Sequence, residues 1–113
     1  MESTTGVYVI RVASMLTGMH PQTLRKYERA GFLAPSRHYT VRMYSDEDIA
    51  RLKMIKHLVD EEGLNLAGVE LALKMRDRLL DMKEEIISAG ISRQFERHFT
   101  DLLDEMLEML GSY

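Results

Sequence analysis

The chain contains no cysteine, which excludes disulfides, thiolate metal sites and thiol redox sensing together. Long apolar runs are missing as well. No segment approaches the roughly 20 apolar residues that span a bilayer, and Met1 to Gly6 lacks the basic-then-apolar plan of a secretory signal. The expected compartment is therefore the cytoplasm, with no membrane partner. There is no glycine-rich phosphate loop, no Gly-x-Ser-x-Gly, no His-Glu-x-x-His and no acid pair set off by spacing, so enzymatic activity is not expected. His20, His38, His57 and His98 lack short ligand spacing, and no zinc pattern can be built without cysteine. Neither a metal nor another cofactor is expected.

What remains is 113 residues, 45 % hydrophobic and 29 % charged, the composition of an ordinary soluble domain. That length supports one small core with one or two helices left over, and not a second catalytic domain. The nine methionines are read as filler for irregular core and interface packing, with a soft binding groove as the alternative. Net charge is −3, the wrong sign for a polyanion binder, but it is unevenly spread. Residues 1–59 carry nine Lys and Arg against five Asp and Glu, whereas residues 60–113 carry six against thirteen. The front half is basic and the back half acidic, which suits a front half that meets nucleic acid and a back half with another task. Two solvated faces without a partner would show the same asymmetry.

Local signals divide the chain further. Val7-Tyr8-Val9-Ile10 is β-branched and aromatic, and either forms a short strand or seats the chain on the core. Val12, Ala13 and Leu16 recur at helical spacing until Gly18 ends the pattern. Pro21 occupies the favoured first position of a second helix, which Gly31 closes. Two short helices joined by a tight turn make a helix-turn-helix over Val12 to Gly31. Tyr39, Val41 and Met43 then alternate with Thr40, Arg42 and Tyr44, the period-two pattern of a small hairpin or wing. Ser45 and Asp48 have the spacing of a capping box that opens a third helix. Its predicted core face is Ile49, Leu52, Ile55 and Val59, and Gly63 stops it. Asn65 caps a fourth helix, with Leu64 and Val69 placed as a hydrophobic staple, running without a breaker to about Ala89. Leu66, Val69, Leu73, Leu80 and Ile87 on it approximate a coiled-coil seam for a second copy. The amphipathic segment Phe95, Phe99, Leu102, Leu103, Met106 and Leu110 would extend that seam; an intramolecular helical hairpin is the alternative.

In the second helix, a 100° advance per residue puts Gln22, Arg25, Lys26 and Arg29 on one face with Thr23 beside it, and Leu24, Tyr27 and Glu28 opposite. That polar face suits a major groove: Gln pairs with adenine, Thr touches a thymine methyl, and Arg or Lys takes guanine or phosphate. Gln22 and Thr23, nearest the helix N-terminus, are the expected base readers, with Lys26 next. Arg37, His38, Tyr39 and Arg42 form a basic and aromatic wing cluster suited to phosphate or minor-groove contact. His20 is read as a neighbour of the helix cap and not as a metal ligand.

Three stretches, in order, resemble the MerR family of regulators, and within it the HspR type of heat-shock repressor. They are Met19-His20-Pro21-Gln22-Thr23-Leu24-Arg25 with Tyr27-Glu28-Arg29 and Gly31; Arg42-Met43-Tyr44-Ser45 with Asp48-Ile49; and Glu61 through Val69. The resemblance covers about residues 7–75. It implies a mainly α protein: a winged helix-turn-helix over 7–75, then a helical dimerisation or partner region over 76–113 made of a long helix in an antiparallel coiled coil and a short C-terminal helix. It implies a homodimer on an inverted repeat in double-stranded DNA, repressing chaperone genes with the DnaK chaperone as co-repressor. By matching position it assigns DNA contacts to Gln22, Thr23, Arg25, Lys26 and Tyr27, and in the wing to Arg37 and Arg42; His20, at the start of the same helix, is counted with the DNA-binding residues. The wing lacks the glycine-bearing turn frequent in relatives, and Lys26 stands where many have tyrosine. The alternatives are another MerR-like regulator, for example of nitrogen genes, or a protein-interaction module that works through the acidic back half.

Overall fold

Residues 5–38 and 40–112 are described in a computed structural model, with only the backbone of His38; Tyr39, one of the expected wing residues, lies outside the described residues. The described chain folds as two units that divide within one helix, between Lys56 and His57.

The first unit opens with strand β1, Gly6–Tyr8, so the ambiguous apolar run is half strand and half helix. Helix α1, Ile10–Thr17, follows at once and ends at Gly18, whose φ of 68° is the left-handed conformation that glycine adopts without steric cost. The expected core residue Leu16 lies outward; Thr17 is buried in its place, its hydroxyl donating to the Ala13 carbonyl at 2.8 Å. A helical advance of one residue decides which side chain turns inward, and the bond back to the preceding turn removes the cost of burying the hydroxyl. The Ser14 hydroxyl donates to the Met19 carbonyl and so closes the turn.

Helix α2, Pro21–Arg29, starts at His20, whose Nδ1 accepts from the Gln22 amide at 3.1 Å. Leu24 and Tyr27 bury the inner face, and Tyr27 stacks on Phe32 with ring centroids 6.0 Å apart. Strands β2, Ser36–His38, and β3, Val41–Ser45, form the antiparallel wing with Arg37 opposite Arg42. The order β1-β3-β2 makes β3 central. Gly6 permits the close approach of β1: a Cβ there would lie 2.6 Å from the Met43 carbonyl oxygen.

Helix α3, Asp46–Asp60, begins with no intervening loop. The capping box forms in both directions, Asp48 N to Ser45 Oγ at 3.0 Å and Ser45 N to Asp48 Oδ2 at 2.9 Å. Met54 and Leu58 are buried beside Ile49, Leu52 and Ile55, a wider apolar surface than the single stripe expected.

In the second unit Asn65 caps helix α4, Leu66–Ser88, by accepting from the Gly68 amide at 2.9 Å. Helix α5, Arg93–Met109, returns antiparallel to it: Lys83 meets Asp104 at 2.9 Å, and Arg76 donates to Ser112 at 3.2 Å. Leu79, Leu103 and Leu107 form the shared core, with Leu80, Met82, Ile86 and Leu110 packed around it. Here the structure corrects the expected seam. Leu80 packs within the chain's own hairpin and Val69 and Leu73 are buried, while Leu66 and Ile87 stay exposed. A 23-residue helix followed by a four-residue connection has a partner helix in its own chain, and burial there needs no second molecule.

The capping box gives the first prediction. Asp48→Ala leaves the Ser45 amide, in a buried position, without its acceptor and should cost about 1 kcal/mol, read as a lower thermal midpoint. An unchanged midpoint would show that the junction is held by other contacts.

Candidate nucleic-acid interface

The exposed surface of α2 is assembled by the burial of its opposite side. With Leu24 and Tyr27 turned into the core, Gln22, Lys26 and Arg29 are exposed and Thr23 and Arg25 are half-buried. This is the polar face expected from the helical advance. Pro21 gives up an amide that has no intrahelical partner in any case, and the His20 imidazole satisfies the Gln22 amide. His20 therefore serves as the cap itself, with its ring on the exposed surface beside Gln22.

Tyr27 has a different position from the other expected contacts. It is buried, stacked on Phe32, with the Lys26 ammonium 5.9 Å from its ring centroid. Its ring holds the base of the helix, and Arg51 fixes the next stretch of chain by donating to the Phe32 carbonyl at 2.8 Å.

In the wing, Arg37 is exposed on β2. Arg42, opposite it on β3, is turned toward α2: its Nε donates to Glu28 Oε1 at 3.0 Å and lies 2.8 Å from Oε2. The structure thus brings Gln22, Thr23, Arg25, Lys26 and Arg37 to the surface of one unit, and ties Arg42 to the recognition helix. Sequence reasoning placed Glu28 on the side away from the groove and gave it no role. Its partner is 14 positions along the chain, across a bend with no helical or strand period to link the two.

Below this pair lies Tyr44, fully buried, whose hydroxyl has no hydrogen-bond partner among the described residues. Burial pushes its pKa up, and the Glu28 carboxylate adds to the rise while Arg42 and Arg25 oppose it. Tyr8, on the other side of the sheet's central strand, donates to Asp46 at 2.8 Å, and that bond raises its pKa. No group of three or more potential metal-ligating side chains occurs among the described residues. No helix among them is long and apolar enough to cross a membrane.

A short helix seated in a helix-turn-helix, exposing a polar face and followed by a β-hairpin, defines a winged helix-turn-helix of the kind that reads DNA. The chain belongs to the MerR family of helix-turn-helix regulatory proteins, whose sequence profile matches residues 8–76. It is 41 % identical over 80 residues to a Streptomyces coelicolor protein named as heat shock protein HspR, an alignment covering 70 % of this chain and 53 % of that one. It is 30 % identical over 109 residues to the HTH-type transcriptional repressor CarH of Myxococcus xanthus, covering 94 % of this chain and 35 % of CarH. The chain thus spans about half and about a third of these relatives. The fold is also that of the transcription regulator PbrR691 from Ralstonia metallidurans CH34, solved in complex with lead(II), with a TM-score of 0.58 at 19 % identity over 93 % of this chain and 79 % of that one.

Tyr44 supplies a test of the ground under the site. Tyr44→Phe deletes a buried hydroxyl without a partner and should stabilise the fold by about 1 kcal/mol. Because the folded state raises this pKa, the neutral phenol's contribution is complete below about pH 10 and is lost as pH climbs above that value. Urea titrations from pH 8 to 11.5 should therefore show a shallower alkaline fall in Y44F. A variant less stable than the parent at pH 8 would show that the hydroxyl is bonded.

Proposed function

We propose that the chain is a homodimeric repressor that binds an inverted repeat in promoter DNA and controls heat-shock or chaperone genes. The observation that carries the reading is the exposed polar face of α2, Gln22 to Arg29, beside an exposed wing arginine in a chain with this identity to HspR. Gln22 and Thr23 read bases, Lys26 and Arg25 take bases or phosphates, and Arg37 reaches the backbone from the wing. His20 sets the cap that positions Gln22, and Tyr27 supports the helix from within. The functional division is a reading part over 7–75 and a dimerisation or partner part over 76–113. DnaK as co-repressor comes from the HspR resemblance alone; unchanged operator occupancy on adding DnaK would remove it.

A specific surface supports the dimer. Phe95, Phe99, Leu102, Met106 and Met109 are all exposed on α5, spaced four, three, four and three residues apart. That alternation is a coiled-coil heptad. Since part of the α4 stripe is already covered within the chain, α5 is the better seam.

A second reading is repression of another gene set, favoured by the CarH alignment running through the helical hairpin as well as the reading unit. Selecting bound duplexes from a randomised pool and sequencing them separates the two by the promoters recovered. Binding to scrambled DNA as tight as to the selected repeat would end both. An interaction module working through the acidic helices would show no steep loss of DNA affinity with salt, whereas log K of a DNA reader falls linearly with log salt. Gln22→Ala should cost about 1 to 3 kcal/mol in binding and relax specificity at one base pair per half-site. Uniform loss on all sequences would make Gln22 a backbone contact instead.

A further inference from the structure

We infer that Glu28 is a positioning residue for DNA reading, which holds the wing against the recognition helix through Arg42 and keeps that arginine off the phosphates. The inference rests on the DNA-binding reading above.

Glu28 sits in the last turn of α2, and Arg42 sits in the central strand of the sheet. Their side chains are only 19 % and 35 % exposed, so the pair is partly withdrawn from water, unlike the solvated pair Lys74 and Glu70 at 72 % and 59 %. One guanidinium nitrogen spans both carboxylate oxygens, at 3.0 and 2.8 Å. The hydrogen bond runs from Nε to Oε1, and the charge on both groups strengthens it. Tyr44, two residues along β3 from Arg42, is fully buried.

One consequence follows for a surface that must meet one duplex at two places. The pair joins α2 to β3, and β3 carries β2 with Arg37 in register. The angle between helix and wing, and hence whether Gln22 and Arg37 reach their groove and strand together, depends on this joint. An angular error costs binding without removing any contact group.

The salt dependence of binding distinguishes a brace from a phosphate ligand, because each phosphate contact contributes about 0.9 to the slope of log K against log salt. The experiment uses the full chain, a duplex selected by the parent from a random pool, and a random-sequence duplex. Fluorescence anisotropy is read from 50 to 300 mM salt for E28Q, R42Q and the double variant, with far-UV circular dichroism to confirm folding. Each single variant should weaken the selected duplex about tenfold, within the range of coupled pairs. The double variant should lose little more than either one, and all slopes should match the parent's. Either single variant decides alone should the other fail to fold. A slope reduced by about 0.9 in R42Q makes Arg42 a phosphate ligand and overturns the inference. So does tighter binding or a steeper slope in E28Q, which would mean that freeing Arg42 adds a contact. A parent chain without salt-dependent DNA binding overturns the functional reading as well, so the two failures are distinct.

Discussion

The reading unit depends on the junction where β3 becomes α3. Tyr44 is fully buried at the end of the strand, and the next residues, Ser45 to Asp48, close a reciprocal capping box inside the core. No loop intervenes between strand and helix. β3 also pairs with both other strands and takes Glu28 of α2 through Arg42. Recognition helix and wing therefore refer to the same fixed point. A short helix such as α2, of nine residues, is marginal by its own propensity and takes its stability from such packing.

The parts legible in the sequence are those written in local chemistry. Gly18, Pro21, the Ser45-Asp48 spacing and Asn65 each satisfy or release backbone groups within a few residues, and each bounds an element where expected. The polar face of α2 follows from the helical advance alone. What escaped depends on partners distant in the chain. The Glu28 to Arg42 pair crosses a bend, and the burial of Met54 and Leu58 requires packing on more than one side of α3. The stripe on α4 looked like a seam for a second copy because hydrophobic spacing states that a face must be covered, not by which chain.

The charge distribution has a similar resolution. Total charge is −3, yet fields in physiological salt decay over about 8 Å. For the proposed DNA contact the charges that count are those near it, Arg25, Lys26 and Arg37, while Glu28 is paired with Arg42. The acidic excess belongs to residues 60–113.

Helix α5 carries two apolar faces. Leu103, Leu107 and Leu110 pack into the hairpin and would suffice to dock the helix. The second stripe, Phe95 to Met109, lies outside that core, and its residues are 42 to 77 % exposed. Isolated exposed leucines are common on protein surfaces, but two phenylalanines, a leucine and two methionines in heptad alternation form a continuous surface. Of these two faces, α4 covers one. The inner face makes the hairpin, and the outer one is the surface on which the proposed dimer rests.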